Sequence, residues 1–171
     1  KQWQASGVPF FRAREIVKLA KSQTVSDDLF ISEDLFEEIR AVHGVPEAGD
    51  MMVSAVGTLG ACYVVEPTDR FYFKDASVLR FSSMGRIEAV FAKYAFDTNY
   101  VLNQVNKGSG STVGTYTISR AKKTALYLPP LPLQSQFAQI VSSVERKKFL
   151  MRTHLAELDT LFASLQSRAF A

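Results

Sequence analysis

The chain has 171 residues, 47% of them hydrophobic, 22% charged and 12% aromatic, which describes a folded domain of ordinary size, or a domain with an appendage, and excludes a disordered chain. With 20 Lys plus Arg against 17 Asp plus Glu the formal charge is only +3, so the chain is no polycation and any nucleic-acid surface must be local. A single cysteine, Cys62, excludes an internal disulfide and a cysteine-built zinc site within one chain and suits a reducing compartment; no apolar run approaches the roughly 18 residues of a membrane span, and no signal peptide is visible.

The sequence opens at Lys1 rather than at a methionine, the form expected of a fragment or of a chain lacking its natural start. The stretch "VPFFRAREIV" begins with strand character, aromatic and apolar residues standing next to basic ones. In "SEDLFEEIRAVHG" a helix is predicted: Ser32 caps it, acids fill its first turn, Leu35, Phe36 and Ile39 fall at helical spacing, and Gly44 suits the position past its end. Two strands follow, Asp50 to Val56 and Ala61 to Glu66, joined by a tight turn containing Gly57 and Gly60. "RFYF" and "SVLRFS" continue the strand character. From Arg86 the period changes, with Ile87, Val90, Phe91 and Tyr94 on one helical face; Asp97 or Thr98 then caps a helix carrying Val101, Leu102 and Val105. "NKGSGSTVGTYTIS" is predicted to be a loop, Ser119 to cap the short basic turn "RAKK", and "ALYL" to form a last strand.

Pro129 and Pro130 then hold the chain extended, and Pro132 is tolerated in the first turn of a long helix. Alternate steps of four and three residues meet Phe137, Val141, Val144, Lys148, Met151, Leu155, Leu158, Phe162, Leu165 and Ala169, and since nine of these ten are apolar they form a coiled-coil seam. Ile140, Leu150 and Leu161 widen the stripe. From Pro132 to Arg168 such a helix is about 55 Å long. A compact domain built from the rest has a radius of gyration of only about 14 Å. The rod therefore cannot bury its stripe on its own domain and requires a second helix. The expected fold is α+β: a mixed, mainly antiparallel β domain with short helices over residues 1–128, followed by one long coiled-coil helix over 129–171.

Catalytic constellations are scarce. His43 and His154 lack metal-ligand partners at productive spacing and read as a helix-end and a helix-surface residue. Asp27, Asp28, Glu33, Asp34, Glu37 and Glu38 fit a solvated first turn better than a cation cage. Cys62 reads as a small core residue, because nothing adjacent lowers its pKa. The glycine loop lacks the Gly-Lys-Ser/Thr ending of a P-loop, and "GTLG" lacks the dinucleotide fingerprint. No catalytic residue, metal or cofactor is expected. What remains suits a polyanion: Arg12, Arg14, Lys18 and Lys21 near the start, Lys107, Ser109, Ser111 and Thr112 in and beside the loop, and Arg120, Lys122 and Lys123 after it. The plainer reading of each is a solvated surface residue.

Taken in order, "GVPFFRAREI", "PEAGDMMVSAVGTLGACYVV", "KGSGSTVGTYTISRAKKTALYLPPLPLQSQFAQIV" and the leucine-rich "LDTLFASLQSRAF" resemble the specificity subunit of type I restriction-modification enzymes, over nearly the whole chain. The most specific parts are Gly49-Asp50, the Gly57 to Gly60 turn, the loop at Gly110 to Thr112, and Pro-Pro-Leu with Gln134 opening the helix. The resemblance implies that residues 1–128 are a target recognition domain reading one half of a split sequence in double-stranded DNA. It implies that residues 129–171 are a conserved spacer helix, packed antiparallel on a counterpart from the same subunit or from a homodimer mate. It further implies docking to methyltransferase subunits, and through the complex to a restriction subunit, in a prokaryotic cytoplasm and away from membranes. On this reading Arg12, Arg14, Lys18, Lys107, Ser109, Ser111, Thr112 and Lys122 contact DNA, and Phe137, Val141, Val144, Met151, Leu155, Leu158, Phe162 and Leu165 pack the helix. The pattern departs from the family at Leu133, where an acidic residue commonly precedes the glutamine. It also carries one recognition domain and one helix where a full subunit has two of each. Two other classes stand beside this one: a dimerising coiled-coil scaffold whose head no longer binds DNA, and an enzyme in its own right, which the missing cofactor and metal motifs disfavour.

Overall fold

The computed structural model describes residues 3–26, 29–74, 76–82, 87–107 and 114–170. Its elements are β1 (Val8–Phe11), α1 (Ala13–Ala20), β2 (Phe30–Ile31), α2 (Glu33–His43), β3 (Met51–Ser54), β4 (Cys62–Val64), β5 (Tyr72–Phe73), β6 (Val78–Phe81), α3 (Ala89–Phe96), α4 (Asn99–Asn106), α5 (Ile118–Ala121) and α6 (Leu131–Phe170). This is the expected mixed α+β class, with small, mainly antiparallel sheets and short helices ahead of one long helix. Everything before α6 is called the head below, and α6 the rod.

The central sheet has the order β4-β3-β6 and is antiparallel throughout, with Val53 opposite Cys62 and Leu79. All four residues of β3 are buried, so its alternating side chains build two cores. Met51 and Val53 join Ala92 and Phe96 of α3, Val101 and Val105 of α4, and Tyr116 on one face; Met52 joins Ile16 of α1, Val65 and Phe71 on the other. Burying a side chain such as Met52 contributes about 1.5–3 kcal/mol. The second sheet, β2-β1-β5, pairs β1 antiparallel with β2 and parallel with β5, and it rests on α2 through Val8, Ile31, Phe36 and Val45. Asp50 and Arg80 lock the edge of the central sheet: Asp50 Oδ2 lies 2.7 Å from Arg80 Nε and also accepts the Glu47 N–H at 3.0 Å.

Local signals placed α2 and α4. Ser32 Oγ accepts the Leu35 N–H, Gly44 ends α2 with φ 71°, and Thr98 rather than Asp97 caps α4 by accepting from Val101.

Elsewhere the structure corrects the expectations. The strand at the start ends at Phe11, and Arg12 caps α1, because Glu15 reaches back to the Arg12 N–H at 2.8 Å and closes the first turn; Arg14, expected near a basic strand, stands on this helix, as does Lys18. The paired strands β3 and β4 are shorter than Asp50 to Val56 and Ala61 to Glu66. Ala55 and Val56 turn away to meet Ser77, Tyr116 and Thr115, and Gly60, with φ 79°, sits where a Cβ would come within 3.3 Å of Leu102 and Val105. Thr117, not Ser119, caps α5. "ALYL" forms no strand: Gln104 occupies both backbone groups of Ala125, accepting its N–H at 2.8 Å and donating to its carbonyl at 3.1 Å, in place of a neighbouring strand. The predicted loop at 108–113 lies outside the described residues.

Candidate nucleic-acid interface and head–rod junction

On α1 the carboxylate of Glu15, only 4% exposed, gathers two arginines. Arg12 donates from Nε at 3.2 Å and from Nη2 at 3.1 Å, and Arg14 donates from Nε. Burial opposes ionisation of Glu15, but the hydrogen bonds from Arg12 and Arg14 together outweigh it and hold its pKa below the ordinary glutamate value. Glu15 thus bridges Arg12 and Arg14. Lys18, one turn further along α1, is half-buried.

A second basic group forms at the end of α4. Arg120 donates from Nη1 to the Thr115 carbonyl at 2.8 Å and from Nη2 to the carbonyls of Gln104 at 3.3 Å, Val105 at 2.6 Å and Lys107. A guanidinium here satisfies the carbonyls a helix leaves open at its C-terminus and opposes the negative end of its dipole. The Arg120 guanidinium thus joins the Lys107 carbonyl to that of Thr115, ahead of α5; the side chains of Lys107 and of Lys122, which follows α5, are both exposed. Ser109, Ser111 and Thr112 lie outside the described residues. Because α1 packs on the Met52 face of the central sheet and α4 and Tyr116 on the Met51 and Val53 face, the sheet stands between the two basic groups.

The junction is built on Gln134, 2% exposed. Its Oε1 accepts the Glu88 N–H at 2.9 Å, and its Nε2 donates to the Pro129 carbonyl at 2.7 Å. Glu88 in turn caps α3 by accepting the Phe91 N–H at 2.6 Å. One amide therefore ties the start of α3 to the proline segment and to the first turn of α6. Nearly one helical turn further, Phe137 packs edge-on against Phe91 and Tyr94, with ring centroids 5.8 and 5.6 Å apart. Below them a cleft of about 600 Å³ runs between α1, the segment after β4, α3 and α6, ending at Val141, Ser142 and Glu145 of the rod. Leu133 is exposed, and its N–H donates to the Pro130 carbonyl at 2.9 Å, so backbone closes the first turn of α6.

Past Glu145 every described rod residue is exposed. Of the predicted helix-packing residues, Phe137 and Val141 are half-covered by the head, while Val144, Met151, Leu155, Leu158, Phe162 and Leu165 face solvent. The rod is continuous over 40 residues, about 60 Å, starting at Leu131 instead of Pro132.

Chemistry of other kinds is sparse. Among the described residues no group of three His, Cys, Asp or Glu side chains could hold a metal ion, and no helix is long and apolar enough to cross a membrane. The Cys62 thiol is buried, donates to the Gly60 carbonyl at 3.1 Å, and has its pKa pushed up by burial and by the charge of Asp97. Sequence reasoning missed Glu15, Glu88 and Gln104 as organisers. The i,i+3 spacings of Arg12 with Glu15 and of Glu88 with Phe91 were available signals for the first two; the bond from the Glu88 N–H to Gln134 and those of Gln104 to Ala125 act across 46 and 21 residues and leave no local trace.

No protein-family profile matches the chain. Over 145 residues, 84% of its length, it is 26% identical to a protein of Haemophilus influenzae named provisionally as a type I restriction enzyme specificity subunit. The match spans 35% of that protein, so the chain corresponds to about a third of its relative.

Proposed function

We propose that this chain is a non-catalytic DNA-reading module of a type I restriction-modification system, its head contacting one half of a bipartite target and its rod pairing with a second spacer helix. The observation that carries the reading is the rod: a continuous helix, clamped to the head at Gln134, that leaves an apolar seam from Val144 onward without cover. A solvated seam of that length is unfavourable and calls for a mate. The likeness to the Haemophilus influenzae protein supports the same assignment. Lys148 sets the direction. In a parallel pair the two Lys148 ammoniums would meet inside the seam, whereas in an antiparallel pair each meets an apolar residue. Methyltransferase subunits, and a restriction subunit through them, then supply the chemistry that the chain does not carry.

The head meets DNA through Lys107, Ser109, Ser111, Thr112 and Lys122, with Arg12, Arg14 and Lys18 as a separate group beyond the sheet. Binding to random duplex DNA across a salt series tests this. Log affinity is expected to fall linearly with log salt, and Lys107→Ala and Lys122→Ala each to reduce the slope by about one. A chain that dimerises yet shows no salt-dependent DNA binding would be the coiled-coil scaffold, and the DNA-reading assignment would be wrong.

A further inference from the structure

We propose that the cleft between head and rod is the seat for the far end of a second copy's rod, with Phe170 as its anchor, an inference that rests on the antiparallel helix pairing proposed above. Phe137 and Val141 are already half-covered by α3, so the open seam runs from Val144 to Ala169. Laid antiparallel on itself about an axis between Ala156 and Glu157, this stretch closes in layers: Val144 on Ala169, Lys148 on Leu165, Met151 on Phe162 and Leu155 on Leu158. Such a contact is isologous, each patch meeting its own copy.

Charge selects this register. It brings Arg152 beside Asp159 twice over, whereas a shift of one heptad toward the heads would set Glu145 beside Asp159 and Arg152 beside its own copy. The like-charged neighbours it does contain, Lys147 and Arg168, fall near the solvated ends, where they are screened.

The register has a geometric result. Residues 166–170 of the second copy come alongside residues 143–147 of the first. In an antiparallel pair like flanks meet, so the flank bearing Gln166 and Phe170 faces the flank bearing Ser142 and Glu145, the one that walls the cleft. The cleft offers Leu19, Val65, Val90 and Tyr94 to an aromatic ring, and Phe170, 89% exposed, is uncovered in the single chain.

Cys62 is buried, so introduced cysteines report alone. Under oxidation the double variant Val144→Cys/Ala169→Cys is expected to link two chains, and neither single variant to do so. Sedimentation is expected to show Phe170→Ala dimerising at least tenfold more weakly, from the loss of one buried aromatic side chain. In a Trp3→Phe background, Phe170→Trp fluorescence should shift to the blue as dimers form. Cross-linking in the double variant with no effect of Phe170→Ala, and with a solvent-exposed tryptophan spectrum, would overturn the cleft while leaving the helix pairing intact. Linkage of Ala169→Cys to itself would overturn the direction and with it the seat. A chain monomeric at every concentration would rule out a second copy as the occupant.

Discussion

Gln134→Ala is the sharpest perturbation of the junction. The substitution leaves the Glu88 N–H without its acceptor and the Pro129 carbonyl without its donor, at a site where the side chain is 2% exposed. One orphaned buried amide costs about 1–3 kcal/mol and the second lost bond about 0.5–1.5 kcal/mol, so the first turns of α6 should lose about 1.5–4.5 kcal/mol of docking energy. Urea unfolding by circular dichroism measures the loss, and a spin-label pair, one on α2 and one at Ser164, reads the head-to-rod distance distribution, which should broaden. Gln134→Glu refines the test. Its carboxylate can accept from Glu88 but, when ionised, faces the Pro129 carbonyl with no proton to donate, so its folded pKa must lie above its unfolded one. Stability of that variant is then full below the unfolded glutamate pKa and falls as pH rises through the folded value, the reverse of an ordinary paired carboxylate. A loss below about 0.5 kcal/mol for Gln134→Ala, within the range of ordinary surface substitutions, with an unchanged distance distribution, would refute the clamp.

Two further outcomes follow from the head. Glu15 has its pKa held below 4.5 by Arg12 and Arg14 against the opposing effect of burial, so it contributes stability that is present above the unfolded pKa and lost as pH falls through the folded one; Glu15→Gln should flatten the acid limb of a stability-versus-pH curve. Arg120→Ala should cost about 1–3 kcal/mol in a thermal or urea melt, because carbonyls at the end of α4 lose their donor, and a variant that weakens DNA binding without this destabilisation would show Arg120 to be a DNA contact instead of a brace.

The elements legible in the sequence were those whose cause is local. α2 carries its own cap at Ser32 and its own stop at Gly44, and α6 carries a 3.5-residue period that no strand could imitate. "ALYL" misled because its strand propensity is real, yet Gln104, 21 residues away, occupies the Ala125 backbone groups that a sheet would need. The basic residues were visible as residues but not as a surface. Arg120 looked like Lys122 until its guanidinium proved to be spent on α4 carbonyls, and nothing in the order of the chain says that Lys18 and Lys107 stand on opposite faces of one sheet. Gln134 was recognisable only as part of a motif; its partner Glu88 is revealed by the fold.

The overlap of head and rod at Phe137 bears on how such modules can be exchanged. A graft cut at the proline segment would carry away the head but strand Phe91, Tyr94 and the Glu88 amide without the helix that covers them. A transplantable head must take its first four turns of helix with it, through Glu145, and the exposed seam beyond is where one such rod can be spliced to another.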